Sequence, residues 1–270
     1  RPLSGQLVRG QNALSHQQFL DRGAAPAARR AGRLRAHERR EDGRVPRRAA
    51  QQGDAQHEGA SVGLRLMIVL IDYGAGNLTS VKKALGHLGA GFATASSPNE
   101  LTDMSALIVP GVGNFKTTSV LAQDWRSAIG EAVERGIPLL GICLGLQWLF
   151  EGSEEAPHVA GLAAIPGTCS LIDGDSSSEF GTFKVPHVGW NSLHITRDSW
   201  LLDGVRSGDQ VYFTHSYAAP VTPDCVASTT YGITFASVVE RGHLTGVQFH
   251  PEKSGRVGLN ILRNFLRRVK

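Results

Sequence analysis

Hydrophobic positions along the chain fall into two textures. From Met67 to Phe150 they come as short continuous apolar runs separated by helix-spaced stretches. Met67 to Asp72 is one such run, closed by the turn Tyr73-Gly74-Ala75-Gly76. Asn77 to Leu88 then places Leu78, Val81, Leu85 and Leu88 on one face at helical spacing, predicting strand, tight turn and helix. Phe92 to Ala95, Ala106 to Val109 and Leu139 to Ile142 are further apolar strands, and Val120 to Arg135 reads as a helix stopped by Gly136. Apolar runs without alternation imply strands covered on both faces, hence a mostly parallel sheet flanked by helices in an α/β fold. After Phe150 the segments shorten and alternate. Val211 to His215, Ala236 to Glu240 and Leu244 to Phe249 are added strands, and Ser254 to Val269 is a closing helix.

The first 66 residues behave differently. They are rich in Arg, Ala, Gly and Gln, and their scattered apolar residues hold no period. They carry 13 Arg, no Lys and 6 acids, a net of +7, whereas the other 204 residues carry 15 basic and 18 acidic side chains, a net of −3. The overall +4 therefore belongs to this extension and argues for no basic nucleic-acid face on the folded part. Within the extension, Glu38, Glu41 and Asp42 interrupt the Arg-rich stretch from Arg29 to Arg48, which weakens a nucleic-acid arm. Three serines, six acids and no long apolar stretch fit neither a transit peptide nor a secretory signal. Because Met67 is the first methionine and opens the first good strand, residues 1–66 are expected to be a disordered Arg/Ala-rich extension, translated upstream sequence that is not part of the mature protein, and 67–270 the functional domain.

With 41% apolar and 19% charged residues the chain can build a core, which argues against wholesale disorder. No apolar run approaches the roughly 18 residues of a membrane span. Three dispersed cysteines, Cys143, Cys169 and Cys225, form neither a disulfide framework nor a Cys-x-x-Cys metal site and suit a reducing, cytoplasmic compartment. A single reactive thiol remains compatible with that count.

Cys143 is the candidate. Gly141-Ile-Cys143-Leu-Gly145 follows an apolar strand and precedes the helical stretch Leu144 to Phe150, the pattern of a nucleophile elbow with cysteine in place of serine. A free thiol of pKa about 8.5 is only slightly ionised at neutral pH, so a helix N-terminus and a histidine base would both raise its reactivity. The plain alternative is a small buried core cysteine, the reading given to Cys169 and Cys225. His250-Pro251-Glu252, after Gly246-Val-Gln-Phe, supplies a histidine at a strand end with a carboxylate two residues on to orient it. Alone it is a polar loop; paired with the cysteine elbow it completes a Cys-His-Glu triad. Pro110-Gly-Val112-Gly113-Asn114 is either an ordinary strand-to-helix turn or, with the amide of Leu144, an oxyanion hole. Gly74-Ala-Gly76-Asn-Leu-Thr79 lacks the third glycine and the later acid of a dinucleotide fingerprint. His87, His158, His187, His194 and His243 have no metal-ligand spacing and read as surface or core residues.

Gly-Ile-Cys143-Leu-Gly-Leu-Gln147, Pro-Gly-Val-Gly and His250-Pro-Glu252 together make the chain from Met67 to Lys270 resemble the class I (triad) glutamine amidotransferases, which have a flavodoxin-like fold. Asp72-Tyr-Gly-Ala-Gly-Asn77, Pro186-His-Val-Gly-Trp190-Asn191, Tyr212-Phe-Thr-His-Ser-Tyr217 and His250-Pro-Glu-Lys-Ser254 make it similar, within that family, to the glutaminase subunits of imidazole glycerol phosphate synthase in histidine biosynthesis. The resemblance implies Cys143 as nucleophile, His250 as proton carrier and Glu252 as its orienting group. It also implies an oxyanion hole at Val112, Gly113 and Leu144, and glutamine binding by Gln147, Glu155, His215, Ser216 and Tyr217. It implies no metal or cofactor. The implied partner is a (β/α)8 barrel cyclase subunit, in a heterodimer, met through Asn77, Trp190, Tyr212 and Lys253. A glutaminase serving another synthase, and a flavodoxin-like redox sensor or peptidase, are the alternatives. The Pro186 to Asn191 block speaks against the first, and His250-Pro-Glu252 with Gln147 against the second.

Overall fold

The computed structural model describes residues 67–76, 78–172 and 183–269, all within one of the two units into which the chain divides, Val62–Lys270. The expected upstream extension 1–66 and Asn77 lie outside the described residues. In chain order the elements are β1 Ile68–Ile71, α1 Leu78–His87, β2 Phe92–Ala95, β3 Ala106–Gly111, α2 Asp124–Glu134, β4 Leu139–Cys143 and α3 Leu144–Leu149. There follow β5 Gly152–Ser153, β6 Thr168–Leu171, β7 His187–Ser192, β8 His194–Ile195, β9 Gln210–His215, β10 Tyr217–Ala218, β11 Cys225–Tyr231, β12 Ile233–Arg241, β13 Leu244–Val247 and α4 Gly255–Arg268.

β1, β3, β4 and β13 are buried at every position because both faces of their sheet are covered. The pleat sends alternate residues to two separate cores. Ile68, Leu70, Ile108, Leu140 and Ile142 pack on one face with Val81 and Leu85 of α1 and Ile261, Leu262 and Phe265 of α4. Val69, Ile71, Leu107, Val109 and Leu139 pack on the other with Trp125 and Ile129 of α2 and Leu146 and Trp148 of α3. The eight strands run in the order β2-β1-β3-β4-β13-β12-β11-β8. The first five are parallel, and β12, β11 and β8 continue antiparallel. This is the expected parallel sheet with antiparallel additions in the second half. β7 and β9 form a separate antiparallel ribbon, and β10, β6 and β5 a three-stranded sheet.

Local boundaries differ in one instructive place. The helix expected over Val120 to Arg135 is a 3-10 segment Phe115–Leu121 followed by α2. Gln123 stands between them at φ +49°, a left-handed conformation that ends one helical register before the next begins. The strand expected to reach Phe249 stops at Val247, which leaves Gln248, Phe249 and His250 to turn into the site.

Candidate active site

Cys143 is the last residue of β4 and the residue before α3, at φ +54° and ψ −104°. A non-glycine residue held there stores on the order of 1–3 kcal/mol of strain, and the packing around it shows what enforces the turn. α3 crosses β3 and β4 so closely that a Cβ on Gly145 would overlap the Val109 carbonyl oxygen, and one on Gly141 would come within 2.7 Å of the Gly145 carbonyl. Glycine is therefore required at both flanks, and the thiol is lifted off the sheet end with Leu144 opening the helix behind it. In the parallel register Gly111 pairs with Cys143. Val112 and Gly113, the latter at φ +99°, thus lie in the loop that leaves the strand beside the nucleophile. The Glu155 carboxylate accepts the Phe115 N–H at 2.7 Å and ties this loop to the segment after β5.

β13 is parallel to β4 and adjacent to it, so its exit delivers His250 to the same sheet end as Cys143. His250 Nδ1 donates to Glu252 Oε1 at 2.8 Å, and both side chains are almost wholly buried. Since a carboxylate only accepts, Nδ1 carries a proton, while Nε2, influenced by Cys143, is buried with no hydrogen-bond partner among the described residues. Burial opposes a charge on His250, but the Cys143 thiolate and the Glu252 carboxylate outweigh it and hold the His250 pKa above its ordinary value. Glu252 Oε2 is buried without a partner among the described residues. The segment is anchored by Ser254, whose hydroxyl donates to the His250 carbonyl at 2.6 Å and accepts the Tyr212 N–H at 2.9 Å. The His250 N–H in turn donates to the Tyr212 carbonyl at 2.9 Å.

Of the residues expected to hold glutamine, Gln147, His215 and Tyr217 are joined to one another, and Gln147 is linked through Gln248 to the thiol. Buried Gln147 donates Nε2 to the Tyr217 carbonyl at 2.8 Å, and His215 Nδ1 reaches the same oxygen at 2.9 Å. The Tyr217 phenol is raised in pKa by desolvation and by the carboxylates of Glu155 and Glu154. Ser216 accepts the Ile172 N–H through its carbonyl. Both ring nitrogens of His215 are already engaged, so what it offers a substrate is its backbone.

His187, read from sequence as an ordinary surface or core histidine, belongs to this assembly. Its Nδ1 lies 3.1 Å from His215 Nε2, and its ring is stacked between Phe213 and Tyr231. The Tyr217 carbonyl can only accept, so His215 is protonated on Nδ1. Its Nε2 is then an acceptor, and His187 must donate from Nδ1. Asn191 Nδ2 approaches the remaining His187 Nε2 at 3.5 Å. The chain Asn191, His187, His215, Tyr217 carbonyl is thus directional. Burial keeps both rings neutral, with His187 pushed down to about 4 and His215 to about 3. The only trace in the sequence was the position of His187 inside Pro186-His-Val-Gly-Trp190. Gln248, discussed below, was also missed. Cys169 and Cys225 are buried and form no disulfide; Cys169 Sγ donates to the Gln147 carbonyl at 3.9 Å and Cys225 Sγ to the Ala227 carbonyl at 3.2 Å.

Of the residues expected to meet a partner, three gather. Trp190 and Tyr212 are opposite each other in the β7–β9 ribbon, with ring centroids 6.1 Å apart, and Lys253 Nζ lies 6.0 Å from the Tyr212 ring centroid. Trp190 is 53% exposed and shares a strand face with exposed Val188.

The family model for glutamine amidotransferase class-I matches residues 69–269. The imidazole glycerol phosphate synthase subunit HisH of Moorella thermoacetica is 46% identical over 73% of this chain and 93% of its own length. The HisH subunit of Halobacterium salinarum is 47% identical over 74% and 92%. The chain belongs to the HisH branch of the class I glutamine amidotransferases. The Arabidopsis thaliana protein named imidazole glycerol phosphate synthase hisHF, chloroplastic, is 43% identical over 74% of this chain but only 34% of that protein. Among solved structures, one titled PurLQS from Thermotoga maritima superposes with a TM-score of 0.58 at 19% identity, over 76% of this chain and all of that one, which speaks for the amidotransferase fold alone. Among the described residues of this amidotransferase no helix is long and apolar enough to cross a membrane.

Proposed function

We propose that this protein hydrolyses glutamine to glutamate and ammonia through Cys143, His250 and Glu252. The ammonia then passes to the cyclase subunit of imidazole glycerol phosphate synthase, in the cytoplasm, for histidine biosynthesis. The observation that carries the reading is the meeting, in a chain of the HisH branch, of a thiol on a strained turn with a buried histidine whose far nitrogen is held by a buried carboxylate. The raised pKa of His250 favours imidazolium beside thiolate. Cys143 Sγ attacks the side-chain amide carbon of glutamine, and the oxyanion is received by the amides of Val112, Gly113 and Leu144. His250 gives its Nε2 proton to the departing nitrogen, which leaves as ammonia, and a γ-glutamyl thioester remains. Water, deprotonated by the now neutral His250, attacks the thioester, and collapse returns glutamate and the thiolate. Gln147, Glu155, His215, Ser216 and Tyr217 frame the amino-acid end of the substrate.

The partner is proposed as a (β/α)8 barrel docking on Trp190, Tyr212 and Lys253, with Asn77 a further proposed contact. An exposed tryptophan beside an exposed valine on the same strand face suits an interface core. The length of the plant hisHF relative outside the match supports a second component of the synthase working with the glutaminase. The test is glutamate release by the full chain alone and mixed with the cyclase subunit and its nucleotide ligand. Strong stimulation by the loaded partner is expected. Cys143→Ser should abolish glutamine hydrolysis while the complex still uses supplied ammonia. Hydrolysis indifferent to the partner would assign the glutaminase to another synthase, and no hydrolysis in any mixture would refute the reading.

A further inference from the structure

Gln248 follows β13 and is completely buried. Its backbone N–H donates to the Ser237 carbonyl at 2.9 Å. Its side chain spans from Gln147, whose Nε2 lies 3.3 Å from Gln248 Oε1, to Cys143, whose Sγ lies 3.7 Å from Gln248 Nε2. The end of the amide that faces the sulfur is fixed by its neighbours. The Tyr217 carbonyl oxygen accepts from Gln147, so Gln147 presents its NH2 group on this side. Its second hydrogen is then directed at Gln248, which must answer with its oxygen. The NH2 of Gln248 is left pointing at Cys143. A thiolate accepts such a donor far better than a thiol. The thiol form has a separate partner, since Sγ can donate to the Thr214 carbonyl at 3.9 Å. The thiolate therefore has the Gln248 amide as a donor in addition to the His250 imidazolium, and the thiol has the Thr214 carbonyl as an acceptor.

We infer that Gln248 is a further catalytic residue of the reaction proposed above: its side-chain N–H stabilises the Cys143 thiolate, and Gln147 holds it in the donating orientation. The inference rests on Cys143 being the nucleophile of that reaction. It is tested on the full chain by following alkylation of Cys143 with iodoacetamide against pH, with peptide mass spectrometry separating Cys143 from Cys169 and Cys225. Gln248→Met keeps the reach of the side chain without its polar ends. A hydrogen bond to a charged group is strong enough that its loss should move the alkylation midpoint upward by about one pH unit and slow alkylation roughly tenfold at pH values below the wild-type midpoint. Gln147→Leu keeps Gln248 but removes the group that orients it, and should move the midpoint the same way by less. Thermal melting confirms that each variant is folded, so failure of one to fold leaves the other as the test. An unshifted profile in a folded variant overturns the inference. Alkylation needs neither glutamine nor partner, so that result is distinct from the absence of glutamine hydrolysis in the wild-type complex, which would refute the proposed function instead.

Discussion

Replacing His187 by phenylalanine isolates the hydrogen bond that His187 gives to the site. The ring lies 3.9 Å from Tyr231 and 4.8 Å from Phe213, both nearly parallel to it, and phenylalanine preserves this stacking. What is lost is the Nδ1–H donor to His215 Nε2 at 3.1 Å. His215 is 7% exposed, so water cannot replace the donor. An acceptor left unpaired in such a place costs about 1–3 kcal/mol, partly offset because a buried phenyl ring has no polar atoms to desolvate. In a domain of this size each kcal/mol lowers Tm by about 2–4 °C, so Tm of His187→Phe should fall by roughly 2–8 °C. His215 also helps fix the Tyr217 carbonyl that anchors Gln147. The KM for glutamine should therefore rise more than kcat falls, because the loss is felt in holding the substrate more than in the reacting groups. Calorimetry measures the first effect and glutaminase kinetics of the complex the second. Nitrogen NMR of the wild type tests the premise directly, with both rings expected as neutral Nδ1–H tautomers. Finding either ring protonated on Nε2 at neutral pH, or an unchanged Tm and KM, would refute the directional chain.

The same pair predicts acid sensitivity. Burial lowers the pKa of His187 to about 4 and of His215 to about 3 from an ordinary 6.5. The unfolded chain therefore takes up protons first, and the stabilisation, complete above about pH 6.5, is lost as pH falls toward 4 and then 3. Each ring contributes a slope of about 1.4 kcal/mol per pH unit within its window. Urea unfolding between pH 7 and 5 should show a shallower slope in His187→Phe than in the wild type, and equal slopes would count against it. Gly145→Ala is expected to destabilise by about 3 kcal/mol or more, because its Cβ would overlap the Val109 carbonyl oxygen and no flexible side chain can yield. Chemical denaturation reads this directly, and a fully stable variant would mean that the crossing of α3 over β3 is looser than described.

The features legible in the sequence are those whose cause is local. Ile68-Val-Leu-Ile71 and Leu139-Leu-Gly-Ile142 lie on both cores, and a continuous apolar run says so without reference to any other segment. Cys143 between Gly141 and Gly145, and Glu252 two residues after His250, each carry their geometry in a few consecutive positions. His187 and Gln248 do not. His187 acquires its role from His215, 28 residues away, and Gln248 from Gln147 and Cys143, more than 100 residues away. Apart from the place of His187 in Pro186-His-Val-Gly-Trp190, nothing in the flanks of either residue distinguishes a site member from an ordinary buried polar side chain. The break before α2 was hidden for a related reason. Val120, Leu121 and Trp125 keep a helical spacing across Gln123, whose positive φ is imposed by packing and has no signature in the residue type.

β9 explains how a surface cluster and a buried thiol can belong to one device. Its residues alternate in burial, with Val211, Phe213 and His215 inward. Tyr212 stands beside Trp190 and Lys253, and two residues on, about 7 Å along the strand, the Thr214 carbonyl lies against Cys143 Sγ. The Tyr212 backbone is clamped on both sides by the triad segment, giving its N–H to the Ser254 hydroxyl and accepting the His250 N–H. A displacement of Tyr212 must then either carry the His250 backbone with it or break hydrogen bonds worth about 1 kcal/mol each. Moving the segment as a unit is the softer response, since the His250 to Glu252 bond and the Ser254 bridge are internal to it and survive the shift. In the proposed complex, pressure on exposed Trp190 and half-buried Tyr212 is therefore felt at the imidazole as a change in its distance from the sulfur, while the ring keeps its orientation.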